Sequence, residues 1–254
     1  MPNATKIALI TGASRGLGKS MALHLARAGR DVILTYNSKK AEADAVAGEI
    51  AKLGRKAAVL QLDVGESASF TAFAAKVNAV LAEVWQRADF DFLVNNAGTA
   101  LYAPFMQTTE EQFDQVMTVH FKATFFLSQK LVPLIKDGGR IVNISSGLAR
   151  FSLPGSSAYG SMKAGIETLS RYMAKELGER RIAVNVIAPG AIETDFGGGR
   201  VRSDRELNAM IAGQTALGRV GLPDDVGGAV AALLADEAGW INGQRIEVAG
   251  GIHL

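Results

Sequence analysis

Lys6-Ile-Ala-Leu-Ile-Thr-Gly-Ala-Ser-Arg-Gly-Leu-Gly-Lys-Ser20 runs from a short apolar segment through a glycine-rich turn into a stretch of helical periodicity. Four consecutive apolar residues, Ile7 to Ile10, suit a strand covered on both faces. The same alternation continues down the chain. Runs at 6–11, 31–36, 57–63, 90–95, 140–145, 182–188 and 245–249 read as seven strands. Between them, helical patterns near 16–29, 39–53, 66–87, 109–136, 157–178, 203–212 and 223–235 are too long for hairpin turns, so the strands should be parallel. With no linker, repeat or low-complexity tract, we expect one doubly wound α/β domain over 1–254. It would have a Rossmann-type, seven-stranded parallel sheet with helices on both faces. Ligands of such sheets bind at the carboxyl edge, where the irregular stretches 146–157 and 189–202 follow strands.

Composition narrows the chemistry. The 254 residues include 28 glycines, a share of 28/254 or about 11% against a usual value of about 7%. There is no cysteine, which removes disulfides, thiolate metal sites and thiol nucleophiles and fits a reducing, cytoplasmic compartment. With 27 basic and 25 acidic side chains, the net charge of +2 is too small to draw a nucleic acid. Met1-Pro-Asn-Ala-Thr-Lys lacks the basic-then-apolar order of an export signal. The longest run of apolar residues and glycine, 226–235, has ten residues where a membrane span needs about 20, so a soluble protein is expected.

Three chemistries compete for 11–20. Gly12-Ala-Ser-Arg-Gly16 matches a nucleophile elbow, which would present Ser14 to a substrate carbonyl. That reading needs a histidine and an acid in later loops, and neither His24, His120 nor His253 stands in a recognisable base loop. Ala13 to Ser20 matches a phosphate loop if its first glycine is relaxed to alanine, with Lys19 reaching the phosphates. The third reading is a dinucleotide turn: Gly12 for the bend, Gly16 for close approach and Gly18 for helix packing, with the diphosphate at the helix start. Glycines serving only a tight turn would look the same, so the rest of the chain must decide.

Tyr159-Gly-Ser-Met-Lys163 opens a predicted helix and sets a phenol and an ammonium on one face. Thirteen residues earlier, Ser146 ends a strand, where its hydroxyl could hold the carbonyl oxygen that Tyr159 would protonate. From end to end the chain resembles a short-chain dehydrogenase/reductase, of the group typified by 3-oxoacyl-carrier-protein reductases. The resemblance is carried by Thr11-Gly12-x3-Gly16-x-Gly18, Asp63-Val64, Asn95-Asn96-Ala97-Gly98, Ser146, Tyr159-x3-Lys163 and Pro189-Gly190-x-Ile192-x-Thr194, in order. Ile241-Asn-Gly-Gln and Val248-Ala-Gly-Gly251 resemble the family's closing strand, with Ala249 where aspartate is common.

The resemblance implies hydride exchange between a nicotinamide and a carbonyl/alcohol pair, without a metal. A free phenol, with a pKa of about 10, holds its proton too tightly to act as a base at neutral pH. Lys163 is therefore expected to lower the Tyr159 pKa and to bind the nicotinamide ribose, while Ser146 polarises the oxygen. The family's usual asparagine on the helix before the serine strand is replaced by His120, expected to hold the same relay water and to titrate near its ordinary value of about 6.5. By the same resemblance Ser14, Arg15 and Leu17 complete the glycine turn, Asp63 and Val64 meet adenine, Asn96, Ala97 and Gly98 line the ribose, and Pro189, Gly190, Ile192 and Thr194 flank the carboxamide.

An acid about 20 residues past the glycines would select NAD. The position holds Tyr36, followed by Asn37, Ser38 and Lys39, and Arg15 is expected to project toward it, so NADP(H) is expected. Leu101, Tyr102, Leu148, Arg150, Phe151 and Phe196 lie in the substrate loops and suit an acyl or aromatic ketone, with Arg150 a possible partner for an anionic group. The glycines at 197–199 suggest a lid near 190–215. Apolar stripes on 109–136 and 157–178 suggest a homotetramer by family analogy. A protein that keeps the fold to sense a dinucleotide, with little turnover, is the alternative function.

Overall fold

The computed structural model describes residues 5–254; residues 1–4, part of the opening read above as carrying no export signal, lie outside them. The strands are β1 (Ile7–Ile10), β2 (Asp31–Tyr36), β3 (Ala57–Gln61), β4 (Phe90–Asn95), β5 (Ile135–Ile144), β6 (Ala183–Pro189) and β7 (Arg245–Val248). They form one parallel sheet in the order β3-β2-β1-β4-β5-β6-β7. The order reverses between β1 and β4, which opens a crevice at their carboxyl ends.

The uninterrupted apolar strands are explained by two cores. Ala8 and Ile10 face a cluster with α1 (Gly16–Arg27), α2 (Lys40–Lys52) and α9 (Pro223–Leu233). Ile7 and Leu9 face the other, with α3 (Phe70–Trp85), α5 (Ala123–Leu131) and the end of α6 (Ser157–Glu176). All four β1 side chains are fully buried. At about 1.5–3 kcal/mol for each large side chain withdrawn from water, this layer fixes the position of the turn that follows it.

Three predicted elements differ from expectation. The helix expected over 109–136 is α4 (Glu110–Val116), a π-helical stretch at Met117–Lys122 and α5, after which Pro133 stops the helix and β5 begins at Ile135. β5 therefore starts five residues before the expected Arg140, and its pairing with β4 slips between Phe90 and Phe92. The helix expected over 203–212 is two pieces, α7 (Arg200–Ser203) and α8 (Arg205–Gly213), broken at Asp204, whose carboxylate accepts from the Leu207 N–H at 3.0 Å and caps the second piece. Among the described residues no helix is long and apolar enough to cross a membrane, and no cluster of His, Asp and Glu could hold a metal ion.

Candidate active site

At the crevice, the 11–18 turn is fastened to the end of β4. The Thr11 hydroxyl accepts from the Asn96 and Ala97 N–H groups, each at 2.9 Å, and the Asn96 amide donates to the carbonyls of Thr11 at 2.7 Å and Gly12 at 3.1 Å. Gly12 has φ +65° and donates to the Thr35 hydroxyl at 3.1 Å. A Cβ at Gly18 would collide with the Gly12 carbonyl oxygen and stand 2.8 Å from both Ala13 Cα and Asn96 Nδ2. Only glycine lets α1 start this close to the strand. The first turn of α1 carries no acidic residue, so its N-terminal dipole is left for an external anion. Ser14 and Leu17 border this turn, Leu17 packing on the core.

On the other side of the crevice, α6 brings Tyr159 and Lys163 against the end of β5. Lys163 is 4% exposed and donates to the Ile144 carbonyl at 2.8 Å, and its Nζ stands 5.6 Å from the Tyr159 ring centre. Burial pushes the ammonium down to about 7. Burial pushes the Tyr159 phenol up to about 12, with the neighbouring Ser146 side chain pulling the other way. This corrects the expectation of a depressed Tyr159 pKa: burial outweighs the pull of Ser146, and Tyr159 stands as a protonated acid at neutral pH.

His120 lies in the π-helical stretch, 1% exposed, with its ring edge-on to that of Tyr159 at 5.1 Å. Nε2 contacts the Thr99 carbonyl at 2.8 Å, and Nδ1 has no partner although buried. Burial, then the Lys163 charge, push the imidazole down to about 3 against the pull of the Thr99 carbonyl. The expectation that it titrates near 6.5 is therefore corrected: at neutral pH it is an uncharged donor and acceptor. A Cβ at Gly98 would press to 2.6 Å on His120 Cε1, so the 96–99 strap and the imidazole are packed as one piece.

The remaining predicted residues ring this centre. Tyr36 is buried, while Asn37, Ser38 and Lys39 are exposed beyond it. Arg15, expected to project toward Tyr36, has its guanidinium 3.8 Å from Asp195, which also pairs with Arg202 at 2.5 Å. The acid on the 190s loop draws it, and at 58% exposure it is weakly held. Asp63 is exposed and accepts from Gly65 N–H through Oδ1 at 2.8 Å, beside Val64. Pro189 ends β6, Gly190 lies against Ala249, Ile192 pairs with Gly221, and Thr194 is buried 3.7 Å from the Cβ position of Gly16. Phe196 extends this loop to 6.1 Å from the Tyr159 ring.

Arg150 does not point to an open anion site. It pairs with Glu247 at 3.0 Å and donates to the carbonyls of Ile252 and His253, each at 3.1 Å. Thr35 and Thr99, which hold the turn and the imidazole, escaped the sequence reading, and Thr11 entered it only as the opening residue of the glycine motif, with no role.

Comparisons with known proteins agree with this arrangement. A family model described as Enoyl-(Acyl carrier protein) reductase matches residues 12–253. Hydroxynaphthalene reductase-like protein Arp2 of Metarhizium majus is 36% identical, over 98% of this chain and 95% of its own length. The solved structure of LugOII, a promiscuous reductase catalysing keto-reduction at C1 during lugdunomycin biosynthesis, has a TM-score of 0.93 at 37% identity, covering 99% of each chain. That of the angucycline C-6 ketoreductase LanV with bound NADP has a TM-score of 0.92 at 35% identity, over 98% of this chain and 96% of its own. With the match spanning both the glycine turn and the Ser146, Tyr159 and Lys163 cluster, the chain belongs to the short-chain dehydrogenase/reductase family, oxidoreductases that act on ketone and alcohol groups.

Proposed function

We propose that this chain is an NADPH-dependent ketoreductase whose substrate is a fused aromatic ketone, with a 3-oxoacyl thioester the second carbonyl class to test. The observation that carries it is the cluster at the carboxyl end of β5, where Lys163, buried, stands 5.6 Å from the ring of Tyr159, whose phenol burial keeps protonated beside Ser146. The bare cradle of Gly12, Gly16 and Gly18 suits a diphosphate at the start of α1. Asp63 keeps Oδ2 for the adenine amino group, Val64 packs the ring, and Asn96, Ala97 and Gly98 border the ribose. Preference for NADPH rests on buried Tyr36 in place of an acid, with Arg15, Asn37, Ser38 and Lys39 exposed around it.

The bound nicotinamide supplies the hydride. Ser146 donates a hydrogen bond to the substrate carbonyl oxygen, polarising the C=O bond. Tyr159 gives its proton to that oxygen, so the O–H bond of the phenol breaks as the alcohol O–H forms. Lys163 stabilises the resulting phenolate and holds the nicotinamide ribose. His120, through its uncharged Nδ1, holds the water that returns a proton toward Lys163. Pro189, Gly190, Ile192 and Thr194 would border the carboxamide, and 190–215 would close over the site as a lid.

The aromatic substrate class is supported by the rings and apolar side chains of Tyr102, Leu148, Phe151 and Phe196 and by the relatives' aromatic chemistry. A cytoplasmic, reducing setting suits a cysteine-free chain. The exposed Phe113, Phe125 and Phe126 suit a homotetramer contact. The test is NADPH consumption with fused aromatic ketones, 3-oxoacyl thioesters and quinones. Turnover of the aromatic ketones is expected. Tight NADPH binding with turnover of none would replace this reading with the dinucleotide sensor.

A further inference from the structure

The loop that leaves Ser146 is held from outside as well as from within. Internally, the Ser146 hydroxyl accepts from Leu148 N–H at 3.2 Å, and the Gly147 carbonyl accepts from Arg150 at 2.9 Å and Phe151 at 3.1 Å. The loop also packs close to the reacting groups. A Cβ at Gly147 would meet the Phe151 ring at 2.7 Å, and one at Gly160, next to Tyr159, would meet the Leu148 carbonyl at 2.9 Å.

From outside, four charges of alternating sign run along one side of this loop. Glu167 on α6 accepts from the Ser145 hydroxyl and from Arg245, both at 2.7 Å. Arg245 reaches Glu247 at 3.3 Å and the Ser146 carbonyl at 3.4 Å. Glu247 takes Arg150, and Arg150 grips the carbonyls of Ile252 and His253. The Phe151 ring stands edge-on to His253 at 4.5 Å.

The gripped segment is itself bent out of ordinary geometry. Gly250, Gly251 and His253 all have positive φ, and at His253, with φ +53°, a side chain makes that conformation uncommon. On its other side the segment meets the turn that follows α8: Leu217 N–H donates to the Gly250 carbonyl at 3.0 Å and Ala216 N–H to the Gly251 carbonyl at 3.3 Å. Residues 250–253 thus tie together the two rims of the crevice. A half-exposed pair such as Arg150 with Glu247 adds little to global stability. Its effect is local, on where the 147–151 wall stands.

We propose that Arg150 is a specificity-determining residue: pinned by Glu247 and by the 250–253 segment, it fixes the Leu148 and Phe151 wall and so sets how large a ketone can lie against Ser146 and Tyr159. This deepens the ketoreductase reading and rests on it for its substrate. Arg150 acts through the wall and touches no reacting atom, so it is a positioning residue.

The test uses the full chain with Arg150→Met, the shape-conserving Glu247→Gln, and Arg55→Met as a surface control. In hydrogen exchange without any ligand, the 148–151 amides of both loop variants should exchange about tenfold faster, while those of β1 and β4 stay as in the parent. In turnover, KM for a fused aromatic ketone should change about tenfold in Arg150→Met, with kcat and the KM of a small monocyclic ketone within about twofold. Unchanged exchange at 148–151 in both variants, or an equal loss for large and small ketones, would overturn the proposal. Exchange needs no substrate, so it decides on the pin even if the parent reduces no ketone, a result that would count against the ketoreductase reading alone.

Discussion

The 11–18 turn and the 196–205 loop each carry three glycines and use them in opposite ways. In the turn, Gly12 and Gly18 are surrounded by backbone and by Asn96, and the space that a Cβ would fill is already taken. In the loop, Gly197, Gly198 and Gly199 stand in a row at positive φ, and nothing lies within 4 Å of a Cβ position at Gly198. The first set brings polypeptide close to polypeptide and leaves a fixed cradle. The second shapes a chain that presses on little, between the Tyr159 ring and two short helices. The 11–18 turn is thus a fixed wall of the crevice, and the 197–199 stretch a wall with room to adjust.

The largest expected loss comes from neither wall but from the reacting group between them, Tyr159, which Phe196 of the looser wall approaches to 6.1 Å. Tyr159→Phe keeps the ring against His120 and removes only the proton donor, so turnover should fall by about 10²–10⁴ while NADPH binding by fluorescence is retained. Next comes the price of burying Lys163 and His120. Both have folded pKa values below their unfolded ones, so the unfolded chain binds more protons, and stability rises with pH from about 3 to 6.5 for His120 and from about 7 to 10.5 for Lys163. Denaturation across pH should show a rise on the order of a few kcal/mol in each window, lost in His120→Asn for the lower and Lys163→Met for the upper.

The two walls also differ in how far the sequence reveals them. All seven strands and the spacing of Gly12, Gly16 and Gly18 are legible because each depends on neighbours within a few residues and on a two-sided sheet. The π-helical stretch around His120 is not: one added residue in a turn leaves the apolar pattern on either side intact, so 109–136 reads as one helix. The early start of β5 is hidden for a related reason, since Gly138 at φ +79° interrupts the strand pattern inside the pairing slip. Arg150 is illegible because its partner Glu247 lies 97 residues away. The direction of Arg15 depends on Asp195, in the loop that the sequence marks only by composition.

Two smaller effects sharpen the contrast. Gly18→Ala should cost about 1–3 kcal/mol in chemical denaturation through overpacking and weaken NADPH binding. Gly198→Ala should cost about 1 kcal/mol, from backbone strain alone, and leave NADPH binding unchanged. Equal costs would erase the distinction between cradle and loop. At the seam, Arg15→Glu should lower the ratio of NADPH to NADH efficiency by about tenfold, read from paired kcat/KM values. An unaltered ratio would remove Arg15 from cofactor choice.

The central claim is that Ser146, Tyr159 and Lys163 serve hydride transfer to a ketone carbon. It is tested most directly with NADPH deuterated on the transferred face of its nicotinamide, given to the enzyme with a fused aromatic ketone, and the alcohol product analysed by mass spectrometry and NMR. One deuterium per product molecule is expected, on the carbinol carbon, formed by the parent chain and at least a hundredfold more slowly by Tyr159→Phe, a lower limit of about 10² for a lost proton donor. Firm NADPH binding with no deuterated alcohol from any ketone tried, or equal rates in the two chains, would contradict it.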